Sequence, residues 1–202
     1  MLPVPLSRWS HHTSRPNQPW PNVGTDIFIP VTNLSVIDEG GTAVALTLSL
    51  GPLFGARVAS PRHGLLFAHS YRMESAPEPG ARDDTEMTPA VVLAEGRPVL
   101  AVGGAGSERI PGAVAQVIAA ALDGDLGAAV GGRRLNWQRG RLQLSPALAP
   151  LAAALGRRGL PVAAPEPGHE AALGIVHAAG RAADGGLTAA ADAAYDGEAR
   201  VL

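Results

Sequence analysis

Two β-rich runs facing each other across a diglycine turn constrain this chain more than any other feature. Val31-Thr-Asn-Leu-Ser-Val-Ile-Asp38 and Thr42-Ala-Val-Ala-Leu-Thr-Leu-Ser-Leu50 flank Glu39-Gly40-Gly41. β-branched and aliphatic runs on either side of so short a turn read as a hairpin. A second pair follows, residues 88–94 and 98–102 around Glu95-Gly96-Arg97. Between the two pairs, residues 64–68 read as a short strand and residues 70–87, rich in Pro, Glu, Asp and Gly, as an exposed loop. Gly103-Gly-Ala-Gly-Ser-Glu-Arg-Ile-Pro-Gly112 reads as a glycine-rich turn leading into a helix over 113–122. Residues 133–144, holding Trp137, read as one strand-like stretch, and 146–155 as a helix with Pro146 near its start and Gly156 past its end. Residues 160–163, 171–176 and 187–191 complete the strands. Hairpins outnumber any βαβ repeat, so the expected fold is α+β, with helices layered on antiparallel sheets.

The 202 residues suffice for one domain with a real core. With 46% hydrophobic but only 4% aromatic residues, aliphatic packing must carry that core. Residues 1–24, with Pro3, Pro5, Pro16, Pro19 and Pro21, form an irregular arm, leaving 25–202 as the domain. A formal charge of -2 offers no positive field for nucleic acid. The chain contains neither lysine nor cysteine. That removes Schiff-base and P-loop lysines, thiol nucleophiles, thiolate zinc sites and disulfides, so any chemistry must use hydroxyls, carboxylates, imidazoles or backbone amides. No run reaches the roughly 20 apolar residues of a membrane helix, and the opening residues are too proline-broken for a signal peptide. As written, the chain reads as cytoplasmic and away from membranes; a leader upstream of Met1 would make it secreted. His11-His12 lacks further ligands nearby, and no metal or cofactor is expected. The 103–112 segment lacks the second parallel strand and its acidic residue that a dinucleotide site requires.

The order of these elements, together with several short strings, resembles the small subunit of gamma-glutamyltranspeptidases, a family of N-terminal-nucleophile hydrolases. The strings are Val31-Thr-Asn-Leu-Ser-Val-Ile-Asp38, Phe54-Gly55, His63-Gly-Leu-Leu-Phe-Ala-His69, Met87-Thr-Pro-Ala-Val-Val92, Gly103-Gly-Ala-Gly-Ser-Glu-Arg-Ile110 and Leu187-Thr-Ala-Ala-Ala-Asp192. The resemblance covers about residues 31–192. It implies an αββα sandwich of antiparallel sheets between helical layers. It also implies a threonine that becomes an N-terminus by cleavage of a precursor, its α-amino group serving as base for its own hydroxyl.

Carried over position by position, the resemblance places the nucleophile at Val31, which has threonine's shape without its hydroxyl. Thr47 and Ser49 match hydroxyls that support the nucleophile, and as bare sequence they are equally good strand residues. Gly106 and Ser107 match the oxyanion pair, and Asn33, Arg72, Thr85 and Arg109 match substrate-binding positions. Asn33 replaces the family's histidine and Gly51 its substrate-holding asparagine. Arg72-Met73 stand where an Asp-Asp pair receives the α-ammonium, with Glu74 the nearby carboxylate; Thr85-Glu86 stand where a Ser-Ser pair holds the α-carboxylate. Processing slipped by one residue would make Thr32 the nucleophile, but a one-residue slip in a strand turns the side chain to the opposite face. His63, His69, His169 and His177 have no spaced partner for a catalytic dyad. The expected function is a transpeptidase-like small subunit, degenerate at its nucleophile and acting as a noncatalytic or altered-substrate subunit. The alternative is an active amidohydrolase or acyltransferase on a non-γ-glutamyl amide using Thr32. The expected partner is a large-subunit-like chain or a second copy.

Overall fold

The computed structural model describes residues 31–51, 54–69, 80, 85–163 and 173–202. The arm at 1–24, Arg72-Met73-Glu74 and His169 lie outside the described residues. The first hairpin pairs β1 (Val31–Ile37) with β2 (Ala43–Ser49), antiparallel, with Val31 opposite Ser49 and Ile37 opposite Ala43. Its turn closes through Asp38, whose carboxylate accepts from the Thr42 N–H at 2.7 Å. A small hairpin of β3 (Ala59–Ser60) and β4 (Leu65–Leu66) follows.

The second pair is β5 (Ala90–Ala94) and β6 (Arg97–Ala105). Here β6 runs further than the sequence suggests, because Gly103 and Gly104 belong to the strand rather than to a turn. Behind β6, a 3-10 turn at Ser107–Arg109 leads into α1 (Ile110–Leu122), then α2 (Leu126–Val130), which the sequence reading missed. The Asp125 carboxylate caps α2 by accepting from the Ala128 N–H at 2.8 Å. Residues 133–144 form a hairpin of β7 (Leu135–Gln138) and β8 (Arg141–Leu144), not a single stretch. Arg139 and Gly140 both take positive φ, the combination that a two-residue hairpin turn requires. Residues 146–151 are a 3-10 helix continued by α3 (Ala152–Arg157), so Gly156 lies inside the helix. The short β9 (Val162–Ala163) pairs parallel with β8. The strand expected at 171–176 is β10 (Ile175–Arg181), displaced toward the C-terminus, and β11 (Leu187–Ala191) pairs with it.

The architecture is α+β. A four-stranded antiparallel sheet in the order β11-β10-β6-β5 is the centre. On one face Ile110, Val114 and Val117, at the helical spacing of a single apolar stripe, bury against Leu100, Val102, Val176 and Ala178. Each such side chain contributes roughly 1.5–3 kcal/mol by leaving water. On the other face lies the β1–β2 hairpin, with Ile37 packed on Ala101 and Ala179. No helix among the described residues is long and apolar enough to cross a membrane.

Candidate active site

Along β1 the burial alternates, with Val31, Asn33, Ser35 and Ile37 turned toward the sheet and Thr32, Leu34 and Val36 turned out. Val31, at the position the resemblance assigns to the nucleophile, packs against the main core cluster. Thr32 therefore presents its hydroxyl on the exposed face, opposite Val31. Inside the hairpin Asn33 meets Thr47, its ladder partner: Thr47 Oγ1 donates to Asn33 Oδ1 at 3.0 Å, and Asn33 Nδ2 donates to Ser35 Oγ at 3.0 Å. Ser35 Oγ in turn donates to the His177 carbonyl at 3.4 Å. A polar relay thus crosses an otherwise aliphatic interface. Room for it comes from Gly103, where a Cβ would stand 2.0 Å from Asn33 Oδ1 and 3.1 Å from Thr47 Oγ1.

The end of β6 meets the start of β1, since Ala105 and Val31 line one groove. Immediately after Ala105, Gly106 and Ser107 take φ of 129° and 57°. The left-handed region costs an L-residue roughly 1–2 kcal/mol, so Ser107 holds a strained turn. Hydrogen bonds around it oppose relaxation. Arg109 Nη1 donates to the Gly106 carbonyl at 3.4 Å and Arg109 Nε to Gln138 Oε1 at 3.2 Å, while Gln138 Nε2 donates to Glu108 Oε1. Arg109 is thereby a strut between the turn and β7. Ser107→Gly is expected to stabilise the chain by about 0.5–1 kcal/mol, the relief of strain less glycine's extra unfolded entropy. A denaturation midpoint at or below that of the unsubstituted chain would contradict this.

The remaining positions are more dispersed. Ser49 Oγ accepts from the Gly51 N–H at 3.1 Å. Gly51 itself has φ of 79°, and a Cβ there would lie 2.1 Å from the His69 carbonyl oxygen. An asparagine could not be restored at 51 without moving the backbone at His69. Thr85 is exposed, its Oγ1 accepting from the Met87 N–H at 3.1 Å, and the Glu86 carbonyl accepts from Thr88 Oγ1 at 2.7 Å. No metal-binding cluster occurs among the described residues.

One pair escaped sequence reasoning. Arg134 and Asp192, 6% and 4% exposed, form a buried ion pair. Asp192 Oδ2 also accepts from the Val176 N–H at 3.3 Å and Oδ1 from the Ala194 N–H at 3.0 Å. The partners are 58 positions apart, so no local spacing could have signalled the pair. His177 lies nearby, and burial pushes its imidazole below the ordinary value against the opposing pull of the Asp192 carboxylate.

The sequence model of the family described as Gamma-glutamyltranspeptidase matches residues 26–202. The mouse protein "Glutathione hydrolase 5 proenzyme" is 36% identical over 99 residues, covering 43% of this chain and 17% of that protein. "Acylase ACY 1 proenzyme" of Pseudomonas sp. (strain SE83) is 33% identical over 127 residues, covering 58% of this chain and 23% of that protein. The chain thus matches about a fifth of the length of these curated relatives. A gamma-glutamyltranspeptidase from Pseudomonas nitroreducens complexed with L-DON superposes with a TM-score of 0.66 at 23% identity, over 85% of this chain and 99% of that chain.

Proposed function

Because this chain belongs to the gamma-glutamyltranspeptidase family, we propose that it is a small-subunit-like member that has lost the γ-glutamyl chemistry and serves as a noncatalytic or altered-substrate subunit. The observation that carries this reading is Val31. It stands at the head of β1, on the buried side and beside the end of β6, where the family's threonine would need a hydroxyl. A valine there neither attacks an acyl carbon nor drives the intramolecular cleavage that frees the α-amino group.

The surface supports a subunit role. Residues Leu34, Val36, Val44, Leu46 and Leu48 all lie on the outer face of the hairpin, with Leu34 53% and Leu48 58% exposed. The face turned to the sheet carries smaller or polar side chains, Asn33, Ser35, Ala43, Ala45, Thr47 and Ser49, besides Val31 and Ile37 at the two ends of β1. A hairpin whose larger aliphatic side chains point away from its own sheet is built as an inner layer with a covering to come. We assign that covering to a large-subunit-like polypeptide.

A second reading rests on the acylase relative. If Thr32 is freed by processing, the chain would act as an amidohydrolase or acyltransferase on a non-γ-glutamyl amide. The exposed face on which Thr32 sits disfavours it.

Intact-mass measurement of the purified chain separates the two. The subunit reading expects continuity through residues 31 and 32; a fragment beginning at Thr32 would favour the amidohydrolase. Under the same reading no γ-glutamyl transfer from a chromogenic anilide is expected, and Val31→Thr alone does not create it, because Asn33, Gly51 and Glu86 also depart from the family's site. Turnover that Thr32→Ala abolishes would overturn the subunit reading.

A further inference from the structure

From Leu126 to Pro165 the chain holds six arginines and no aspartate or glutamate, although acidic residues outnumber basic ones over the whole sequence. Arg134 is the buried partner of Asp192, and the other five are exposed. The strand pairings gather four of those five at one end of the β7–β8–β9 sheet. Arg139 and Arg141 flank Gly140 in the turn that joins β7 to β8. Because β9 runs parallel to β8, and the Leu142 N–H donates to the Pro161 carbonyl at 2.8 Å, β9 starts beside Arg141. Only Gly159 and Leu160 separate Pro161 from Arg158, which follows Arg157 at the end of α3. Among the described residues no carboxylate pairs with Arg141, Arg157 or Arg158. Like charges gathered in this way raise a local positive field within a chain whose net charge is -2.

Apolar side chains stand at the same end. Trp137 lies one rung in from the turn, opposite Leu142, and is 55% exposed; Leu160, in the loop before β9, is 39% exposed. The charge is also segregated by side. Gln116 of α1 holds β7, its Nε2 donating to the Leu135 carbonyl at 2.9 Å and its Oε1 accepting from the Leu135 N–H at 3.0 Å. The arginine-bearing sheet therefore belongs to the helix side of the central sheet. Asp38, Glu39, Asp196 and Glu198 line a groove on the hairpin side, between β1 and the terminal segment.

We propose that the turn end of the β7–β8–β9 sheet docks on an anionic lipid surface, with Arg139, Arg141, Arg157 and Arg158 against the headgroups and Trp137 and Leu160 entering between them. An anionic plane attracts this end and repels the acidic groove on the opposite side, so charge sets the orientation as well as the contact. Tryptophan and leucine beside arginine fit the layered chemistry of a bilayer interface, where an amphipathic ring and an aliphatic chain reach apolar material just below the charges. An acidic peptide or a nucleic acid offers leucine no such phase. Adsorption of this kind needs no membrane-spanning helix. The hairpin face assigned to a partner polypeptide points the other way, so the inference stands apart from the subunit reading.

The test is co-sedimentation of the full chain with vesicles made of equal parts phosphatidylglycerol and phosphatidylcholine. Binding is expected there and not on vesicles of phosphatidylcholine alone. Raising the salt from about 0.1 to about 1 M, which shortens the screening length from about 10 to about 3 Å, should release the chain. A basic side chain at such a surface is worth about fivefold in binding, so Arg141→Gln, Arg157→Gln and Arg158→Gln together should weaken it by roughly a hundredfold. All three are exposed, and the triple variant should keep the parent's thermal midpoint. Removing Arg62 and Arg97, exposed arginines outside this sheet, should change binding little. In a chain whose sole tryptophan is Trp137, made by Trp9→Phe and Trp20→Phe, emission should shift to the blue on the anionic vesicles and be quenched by brominated lipid. Equal binding to both kinds of vesicle, no binding to either, or equal losses from the two sets of arginine substitutions would overturn the proposal. So would an unshifted Trp137 on bound chain, or binding to polyglutamate or to single-stranded RNA as tight as to the anionic vesicles, which would make the patch a general polyanion site.

Discussion

Asp192→Ala should unfold the chain about 3–5 kcal/mol more easily than the unsubstituted protein, because it strands the Arg134 guanidinium as an unpaired buried charge. For a domain of this size, that corresponds to a fall in the thermal midpoint of roughly 6–20 °C. The carboxylate also receives the Val176 and Ala194 N–H groups, so its loss loosens the start of β10 and the chain after β11 together. Replacing both members, Arg134→Met with Asp192→Leu, should recover part of the loss by removing both charges. It should not recover all of it, since two backbone donors remain without acceptor at a cost of about 1–3 kcal/mol each if they stay buried. Thermal unfolding of the two single variants and the double variant checks this. A single variant within about 1 kcal/mol of the parent would show that the pair is dispensable.

Gly103→Ala should cost about 2–3 kcal/mol, although alanine is the smallest possible addition. Its methyl group would stand 2.0 Å from Asn33 Oδ1 and 2.7 Å from Asn33 Cγ. Asn33 would have to swing away, losing its bonds to Thr47 and Ser35, or the hairpin would have to lift from the sheet. The cause can be isolated with Asn33→Ala: if the clash is the origin, the double variant should be less destabilised than the sum of the singles by about 1–2 kcal/mol. Strict additivity in urea denaturation would place the cost elsewhere, in the strand preference of the residue itself.

Much of the local structure was legible in the sequence. The first hairpin lies where its two runs and diglycine turn put it, because side-chain period and turn chemistry are both local properties. The fold class followed from counting hairpins. The motif order also led to Asn33 and Thr47, which the structure brings into hydrogen-bond contact, and to the Gly106-Ser107 turn. Local reading failed where residues answer to distant neighbours. Gly103 and Gly104 look like turn residues and are strand residues, because Asn33 and the Ile175 carbonyl crowd the space where a Cβ would stand. The β7–β8 hairpin was hidden because Arg139 is not a residue that advertises positive φ. No helical spacing connects Arg134 with Asp192.

By itself, the sequence determined the first hairpin and its turn, the absence of cysteine and lysine side chains, and a valine at the head of the first strand run. Only the tertiary structure decided which face of β1 is the inner one. Both faces of the hairpin could be buried on composition, and the outer one carries the larger aliphatic side chains. The inner face is nonetheless the one bearing Asn33, Ser35 and Thr47. The sheet beneath it presents Ala101, Gly103 and Ala179, a surface low enough for close approach and for the relay's hydrogen bonds. That fit depends on residues about 70 to 150 positions away, a separation over which the side-chain alternation of a strand carries no information.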